Sequence, residues 1–239
     1  MIIGRKLYYL DSVDSTNVYA KSLINKVPEG TVVLANLQTG GKGRFGKNWY
    51  SPEGGIWMST ILKPANISLM SIAAGVAVCE TFHINGIILG IKWPNDILLN
   101  GKKVAGILTE IVDDTVILGI GINLNISKFP DELDGSASSI FLETKKHLDK
   151  KMICDLLYKQ LDECYLMLKN NMVFGLLTKW RHYTVLLGKE VIVEMGDRKL
   201  SGKVLDINNN GALVIMCSND KVQYIIGGIC HMKKNDGRF

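Results

Sequence analysis

The dipeptide Asn100–Gly101 stands between two apolar runs, residues 97–99 and 104–111, and it narrows the folds open to this chain more than any other feature. Both residues tolerate positive φ, which a two-residue hairpin turn demands, so the flanking runs are expected to pair as antiparallel strands. Further strand-like runs occupy residues 31–37, 56–62, 87–91 and 116–122, each rich in β-branched residues. Helical patterns alternate with them. Asp14–Ser15 reads as a helix start, with Val18, Leu23, Ile24 and Val27 recurring up to Pro28. Residues 68–83 are apolar on nearly every face, which suggests a helix covered on most sides. Residues 150–169 form an amphipathic pattern, with a shorter one at 174–183. The fold class expected is therefore α+β, a mixed or antiparallel sheet flanked by helices.

After Gly188 the texture changes to short strands at 190–194, 200–206, 212–216 and 222–226, separated by Gly, Asp and Asn. Strands this short and this closely spaced make a small β-barrel. The expected division is residues 1–185 and residues 186–239. Residues 126–148 are polar and irregular and read as a surface excursion. Strands such as residues 116–122 offer a sheet edge through which a homodimer would form.

At 239 residues and 47% hydrophobic, the chain can bury one good core and a satellite. The net charge of +5 is too modest to argue for nucleic acid, and the barrel segment has no aromatic platform beyond Tyr224. The five cysteines are odd in number and unpaired in spacing, which fits free thiols in a reducing compartment. No signal peptide opens the chain, and the apolar stretch at 67–78 is too short for a membrane span. A cytoplasmic protein without membrane contact is expected.

The chemistry concentrates in residues 38–49, where Gly40, Gly41, Gly43 and Gly46 interleave with Lys42, Arg44 and Lys47 ahead of Trp49. Glycine permits close approach to a ligand, and the cations offer charge-assisted hydrogen bonds to carboxylate or phosphate. The spacing Gly41-x-Gly43-x-x-Gly46 matches a dinucleotide fingerprint only formally, because no helix opens after it. Such flexibility suggests a loop that is mobile alone and orders over a ligand. Three further constellations lie downstream: Lys92-Trp93-Pro94-Asn95-Asp96, Lys103-Val104-Ala105-Gly106-Ile107-Leu108, and Gly119-Ile120-Gly121-Ile122-Asn123. Read singly, these are a turn, a solvated lysine and an ordinary strand end. No Ser-His-Asp arrangement or metal-ligand spacing appears.

In this order, with Ser15-Thr16-Asn17 and Gln38 ahead of them, the motifs resemble those of the biotin–protein ligases, and the likeness runs over almost the whole chain. The resemblance implies a fold like that of the class II synthetases and biotinyl/lipoyl ligases, ending in an SH3-like barrel. It implies activation of biotin by ATP to biotinyl-5′-AMP, with magnesium, and transfer to a lysine of a biotin carboxyl carrier domain. Lys103 and Arg44 would be the catalytic cations. Ser15, Thr16, Asn17, Gln38, Lys42, Gly43, Arg44, Lys103 and Gly106 would bind biotin. Gly41, Lys42, Arg44, Lys47, Trp49, Asn95, Asp96 and Asn123 would bind ATP, Asn123 reading the adenine. Asp96 would either orient Lys103 or help hold Mg²⁺. Lys42 and Lys47 replace the family's usual arginines and give up the bidentate fork. The winged-helix domain of repressor-type members has no counterpart in this sequence, so a monofunctional ligase without DNA binding is expected. Two other readings are a lipoate–protein ligase or octanoyltransferase, whose signatures are missing, and a non-catalytic biotin sensor.

Overall fold

A computed structural model describes residues 1–133 and 135–233. The chain runs β1 (Leu7–Val13), α1 (Thr16–Ser22), β2 (Val32–Gln38), β3 (Ile56–Leu62), α2 (Met70–Ile84), β4 (Gly90–Lys92), β5 (Asp96–Leu99), β6 (Lys102–Val112) and β7 (Thr115–Ile122). It continues with α3 (Ile140–Thr144), α4 (Lys150–Lys169) and α5 (Val173–Tyr183). Then come β8 (Glu190–Met195), β9 (Arg198–Ile207), β10 (Leu213–Cys217), β11 (Val222–Ile225) and β12 (Ile229–Met232).

The first seven strands form one mixed sheet in the order β1-β2-β3-β7-β6-β5-β4, parallel only between β1 and β2. Asn100 and Gly101 take φ of 51° and 80°, as the hairpin turn between β5 and β6 requires. The strand β7 corrects one expectation. It pairs with β3 on one side and β6 on the other, so it has no free edge for a second copy. The edges of this sheet are β1 and β4.

Strand periodicity sorts the sheet into two faces. Ile56, Met58, Leu62, Val116, Leu118, Ile120 and Ile122 point to one face and join α2 in the main core. That helix is sandwiched between the sheet and α4 with α5, which is why it is apolar all round. On the opposite face Ala20 of α1 meets Val33, Ile61 and Ile117. α1 ends at Ser22, shorter than the apolar spacing suggested. Leu23, Ile24 and Val27 still pack on this second cluster, but from a turn.

The second sheet is antiparallel, in the order β11-β10-β9-β8-β12. Its buried Val191, Val193, Val204, Leu213 and Ile215 belong to the same apolar cluster as the first sheet. Trp93 Nε1 donates to Gly211 O at 3.0 Å across the junction, in a buried position. β12, at residues 229–232, lies beyond the four strands recognised in the sequence. Residues 234–239 of the expected second unit lie outside the described residues. The five cysteines are free thiols.

Candidate active site

A cavity of about 790 Å³ opens on the α1 face of the large sheet. Its floor exists because side chains are missing there. Gly106 of β6 is paired with Gly121 of β7, and Gly119 lies two residues back on the same face. Trp49 lies flat over this floor: a Cβ at Gly106 or at Gly121 would fall within 3.0 Å of the indole. The small residues at 105 and 106 suggest a flat ligand passing close to the backbone, and here the chain's own indole takes that place. Lys103 Nζ stands 5.0 Å above the Trp49 ring, a cation–π arrangement.

The polar end of the cavity is built by α1, β2 and β3. Thr16 donates from its backbone N–H to Gln38 Oε1 at 2.8 Å, and Gln38 Nε2 donates to Ser51 Oγ at 2.8 Å. Ser51 in turn donates to Trp49 O, so this polar end is wired to the glycine loop. Ser15 and Thr16 are buried at the start of α1. Asn17 lines the cavity too, and its amide is engaged within the chain. Its Nδ2 donates to Glu110 Oε2 at 2.7 Å, and its Oδ1 lies 2.5 Å from Ser59 Oγ. The carboxamide occupies the space that a side chain at Gly119 would fill.

The cationic side is held by an ion pair. Lys103 Nζ is 2.5 Å from Asp96 Oδ1, and Lys92 Nζ is 3.4 Å from Asp96 Oδ2. Arg44 donates from Nη1 to Asn95 Oδ1 at 2.8 Å and to Gly228 O of the barrel at 3.2 Å. Asn95 Nδ2 donates to Ile107 O, so the Asn95 amide is committed to fixing Arg44 against the sheet. Burial lowers the Arg44 pKa, opposed by the charge of Asp96. A guanidinium starts high enough to remain charged.

The glycine loop is a tight hairpin. Gly43 N–H donates to Lys47 O at 2.7 Å and Trp49 N–H to Gly41 O at 2.9 Å, with Phe45 at φ 58° at its tip. Lys42 and Lys47 line the cavity mouth and are exposed. Gly41 differs from the other expected residues, because it does not line the cavity. It packs at the loop's base, where a Cβ would overlap Trp49 O and Ser51 Oγ.

Asn123 closes the far end. Its Nδ2 donates to Ser138 O at 2.8 Å, while its Oδ1 is buried with no partner. An orphaned buried acceptor is costly and suits a ligand that donates an N–H. Ser138 comes from the polar segment read as a surface excursion. That reading is corrected: Ser138 and Ser139 are buried, and Leu133, Ser136 and Ala137 form part of the cavity wall. The barrel also contributes, through Gly228 and His231 among others. Ser51, Ser59, Glu110 and Ser138 carried no signal in the sequence, since each is an ordinary residue type at an ordinary strand or loop position.

A sheet-floored cavity with a polar, amide-rich end and a fixed row of cations describes a ligase of the adenylating kind. The comparisons with known proteins agree. Residues 9–127 match the biotin/lipoate A/B protein ligase family, and residues 186–233 match the biotin protein ligase C-terminal domain. The bifunctional ligase/repressor BirA of Bacillus spizizenii is 37% identical over 232 residues, covering 90% of this chain and 70% of that one. The biotin–[acetyl-CoA-carboxylase] ligase of Mycobacterium tuberculosis is 28% identical, covering 96% and 90% of the two chains. Among solved structures, the biotin protein ligase of Aquifex aeolicus in complex with biotin and ATP superposes with a TM-score of 0.88 at 31% identity, covering 97% of this chain and all of that one. The chain belongs to the biotin protein ligase family.

Proposed function

We infer that this chain joins biotin to a carrier protein in two steps. The biotin carboxylate attacks the α-phosphorus of ATP, the bond to pyrophosphate breaks, and biotinyl-5′-adenylate forms. A lysine amine of a biotin carboxyl carrier domain then attacks the acyl carbon, forming an amide and expelling AMP. The observation that carries this reading is the pairing of an amide-rich pocket at Thr16 and Gln38 with the Lys103 and Arg44 cations in one cavity.

Both steps gather anions, so the protein's main contribution is fixed positive charge and alignment. Lys103 is held in place by Asp96, and Arg44 by Asn95, before any ligand arrives. Thr16 and Gln38 are assigned to the ring system of biotin and the free Oδ1 of Asn123 to the amino group of adenine. Ser15, Lys42 and Gly43 stay with biotin, and Lys42 and Lys47 with the phosphates. Asn17, Gly41 and Asn95 are reassigned to building the site.

Magnesium finds no protein cage. Among the described residues no group of three or more His, Cys, Asp or Glu is placed to hold a metal ion. Asp96 already lies between Lys103 and Lys92. The residues present do not fit a protein-held magnesium, and of the two roles foreseen for Asp96 the structure supports the orienting of Lys103. Among the described residues no helix is long and apolar enough to cross a membrane. A cytoplasmic location follows the family and remains part of this proposal.

Biotin-dependent exchange of labelled pyrophosphate into ATP tests the reading. Exchange that requires biotin, ignores lipoate and collapses in Lys103→Ala supports it. Exchange driven by lipoate, or tight biotin binding with no exchange, would overturn it.

A further inference from the structure

The two-step chemistry leaves one cation of the cavity without a task. Lys92 ends a row of cross-strand partners that crosses the sheet: Ala35 of β2, Trp57 of β3, Gly121 of β7, Gly106 of β6, Asp96 of β5 and Lys92 of β4. Cross-strand partners share a face, and all of these except Ala35 line the cavity. Neighbouring strands lie about 4.8 Å apart, so Lys92 stands about 10 Å beyond Gly106.

The two ends of the row differ. Gln38 belongs to β2 and accepts from the Thr16 N–H, so the residues assigned to biotin sit at the β2 end. Asn123 follows β7, and its N–H donates to Val104 O, so the adenine end lies along the strands and not across them. Lys103 stands between, at the start of β6. Displacement at phosphorus places the entering and leaving oxygens roughly in line. With the carboxylate entering over β6 from the β2 end, pyrophosphate must leave over β5 toward β4. The side chain that stands there is Lys92.

The charges favour the same assignment. Among the described residues Asp96 is the only carboxylate that lines the cavity, and two lysines share it. Its Oδ1 is 2.5 Å from Lys103, whereas the contact to Lys92 is 3.4 Å. Arg44 rests on neutral partners, Asn95 Oδ1 and Gly228 O. Burial pushes the nearby Cys230 thiol up to about 11, so it stays uncharged and gives Lys92 no counterion. His231 of β12 is paired with Glu194 of its own sheet at 3.6 Å. Lys92, more loosely held than Lys103, is the cation able to change partner.

We propose that Lys92 is a catalytic residue of adenylation, whose ammonium leaves Asp96 to take the charge of the departing pyrophosphate, an assignment that rests on the two-step reading above. A carboxylate oxygen bonds to the α-phosphorus while the bond from that phosphorus to the bridging oxygen breaks. The bridging oxygen keeps the electron pair, and no proton moves. Asp96 goes on holding Lys103. The second step expels AMP and involves no pyrophosphate, so Lys92 takes no part in it.

Single-turnover kinetics of each half-reaction in the wild type, Lys92→Ala and Lys92→Arg test this. Lys92→Ala is expected to form adenylate from biotin and ATP about 10²-fold more slowly, as for one lost preorganised donor. In reverse, from enzyme-bound biotinyl-5′-AMP, the pyrophosphate needed for half-maximal ATP formation should rise about tenfold, the worth of one charged hydrogen bond. Lys92→Arg keeps the charge and should recover most of both losses. Transfer from supplied biotinyl-5′-AMP to a carrier domain that the wild type labels should keep its rate in both variants. An unchanged pyrophosphate requirement in Lys92→Ala overturns the proposal. So does an equal loss in the two half-reactions, which would make Lys92 only a prop for Asp96 and Lys103. Should Lys92→Ala fail to fold, Lys92→Gln carries the same comparison. A wild type that forms no adenylate from biotin overturns the functional reading itself.

Discussion

Lys103 and Asp96 form a 2.5 Å ion pair across neighbouring strands, β6 and β5, at the wall of the cavity. The pair fixes a flexible lysine in advance of its substrate, and a cation fixed beforehand costs no reorganisation when charge develops. Lys103→Ala is expected to slow adenylation by about 10²–10³-fold, as for loss of one preorganised donor. Asp96→Asn should slow it less, because the charge remains and only its position is lost. The double variant should match Lys103→Ala alone, since the two residues act as a unit. Single-turnover formation of the adenylate measures all three. Additive losses would mean that Asp96 has a separate role.

Gly119 has no room for a methyl group, because Asn17 Oδ1 occupies it. Gly119→Ala should displace the carboxamide and break its bonds to Glu110 and Ser59. Overpacking of this kind costs about 1–3 kcal/mol. The loss should appear both in urea unfolding and in biotin affinity. A stable variant with normal biotin affinity would show that Asn17 moves aside without consequence.

Trp49 covers Gly106 and Gly121 with its indole, and its Nε1 is buried without a partner. A ligand bound on this floor must shift the ring. Tryptophan emission should therefore change when biotin is added, and the change should shrink in Trp49→Phe. Trp180 is buried away from the cavity, whereas Trp57 and Trp93 line it, so the part of the change lost in Trp49→Phe is the part that reports the indole of Trp49. An unchanged signal in the wild type would place the ligand elsewhere in the cavity. Protease cleavage within residues 40–50, with and without biotin and ATP, then tells whether the whole hairpin moves or the ring alone.

Glu29 links the region ahead of β2 to α4. It accepts a hydrogen bond from Tyr165 Oη and pairs with Lys169 at 3.3 Å. Burial raises its pKa, but the hydrogen bonds from Tyr165, the Lys63 N–H and Lys169 outweigh that and leave it below 4.5. A carboxylate with a depressed native pKa stabilises the fold above its unfolded value, and that contribution is lost as pH falls through the native value. Urea midpoints should thus drop on acidification below 4.5, and the drop should be smaller in Glu29→Gln. Equal pH dependence in the two proteins would assign the acid sensitivity to other carboxylates.

The parts of the fold legible in the sequence were those with local causes. The Asn100–Gly101 turn, the amphipathic α4 and the all-round apolar α2 each follow from residue type and spacing alone. The cations and the amide residues of the site were legible through their motifs. What stayed hidden depends on cross-strand neighbours. Ser59 sits in the middle of an otherwise apolar strand, and Glu110 reads as an ordinary solvated alternation on β6. Only the register that sets β3 and β6 on either side of Gly119 brings them to the two ends of the Asn17 carboxamide. Residues 126–148 misled in part for a related reason: the buried Ser139 hydroxyl donates to Ile126 O and accepts from the Leu142 N–H, while residues 127–128, 131–132 and 145–147 do face solvent.

The barrel is fastened to the rest of the chain by Trp93 to Gly211 O, by Arg44 to Gly228 O and by the paired bonds from Arg181 to the Asp206 carboxylate, beside a shared apolar cluster. In the first two the catalytic half supplies the side chain and the barrel only main-chain oxygen; in the third the barrel must supply an acid. The joint therefore reads the barrel at Asp206 and at its inner apolar positions, and leaves its outer side chains free to vary. A chimera assembled from a distant relative's barrel should seat where that barrel keeps an acid facing Arg181 and an apolar inner face.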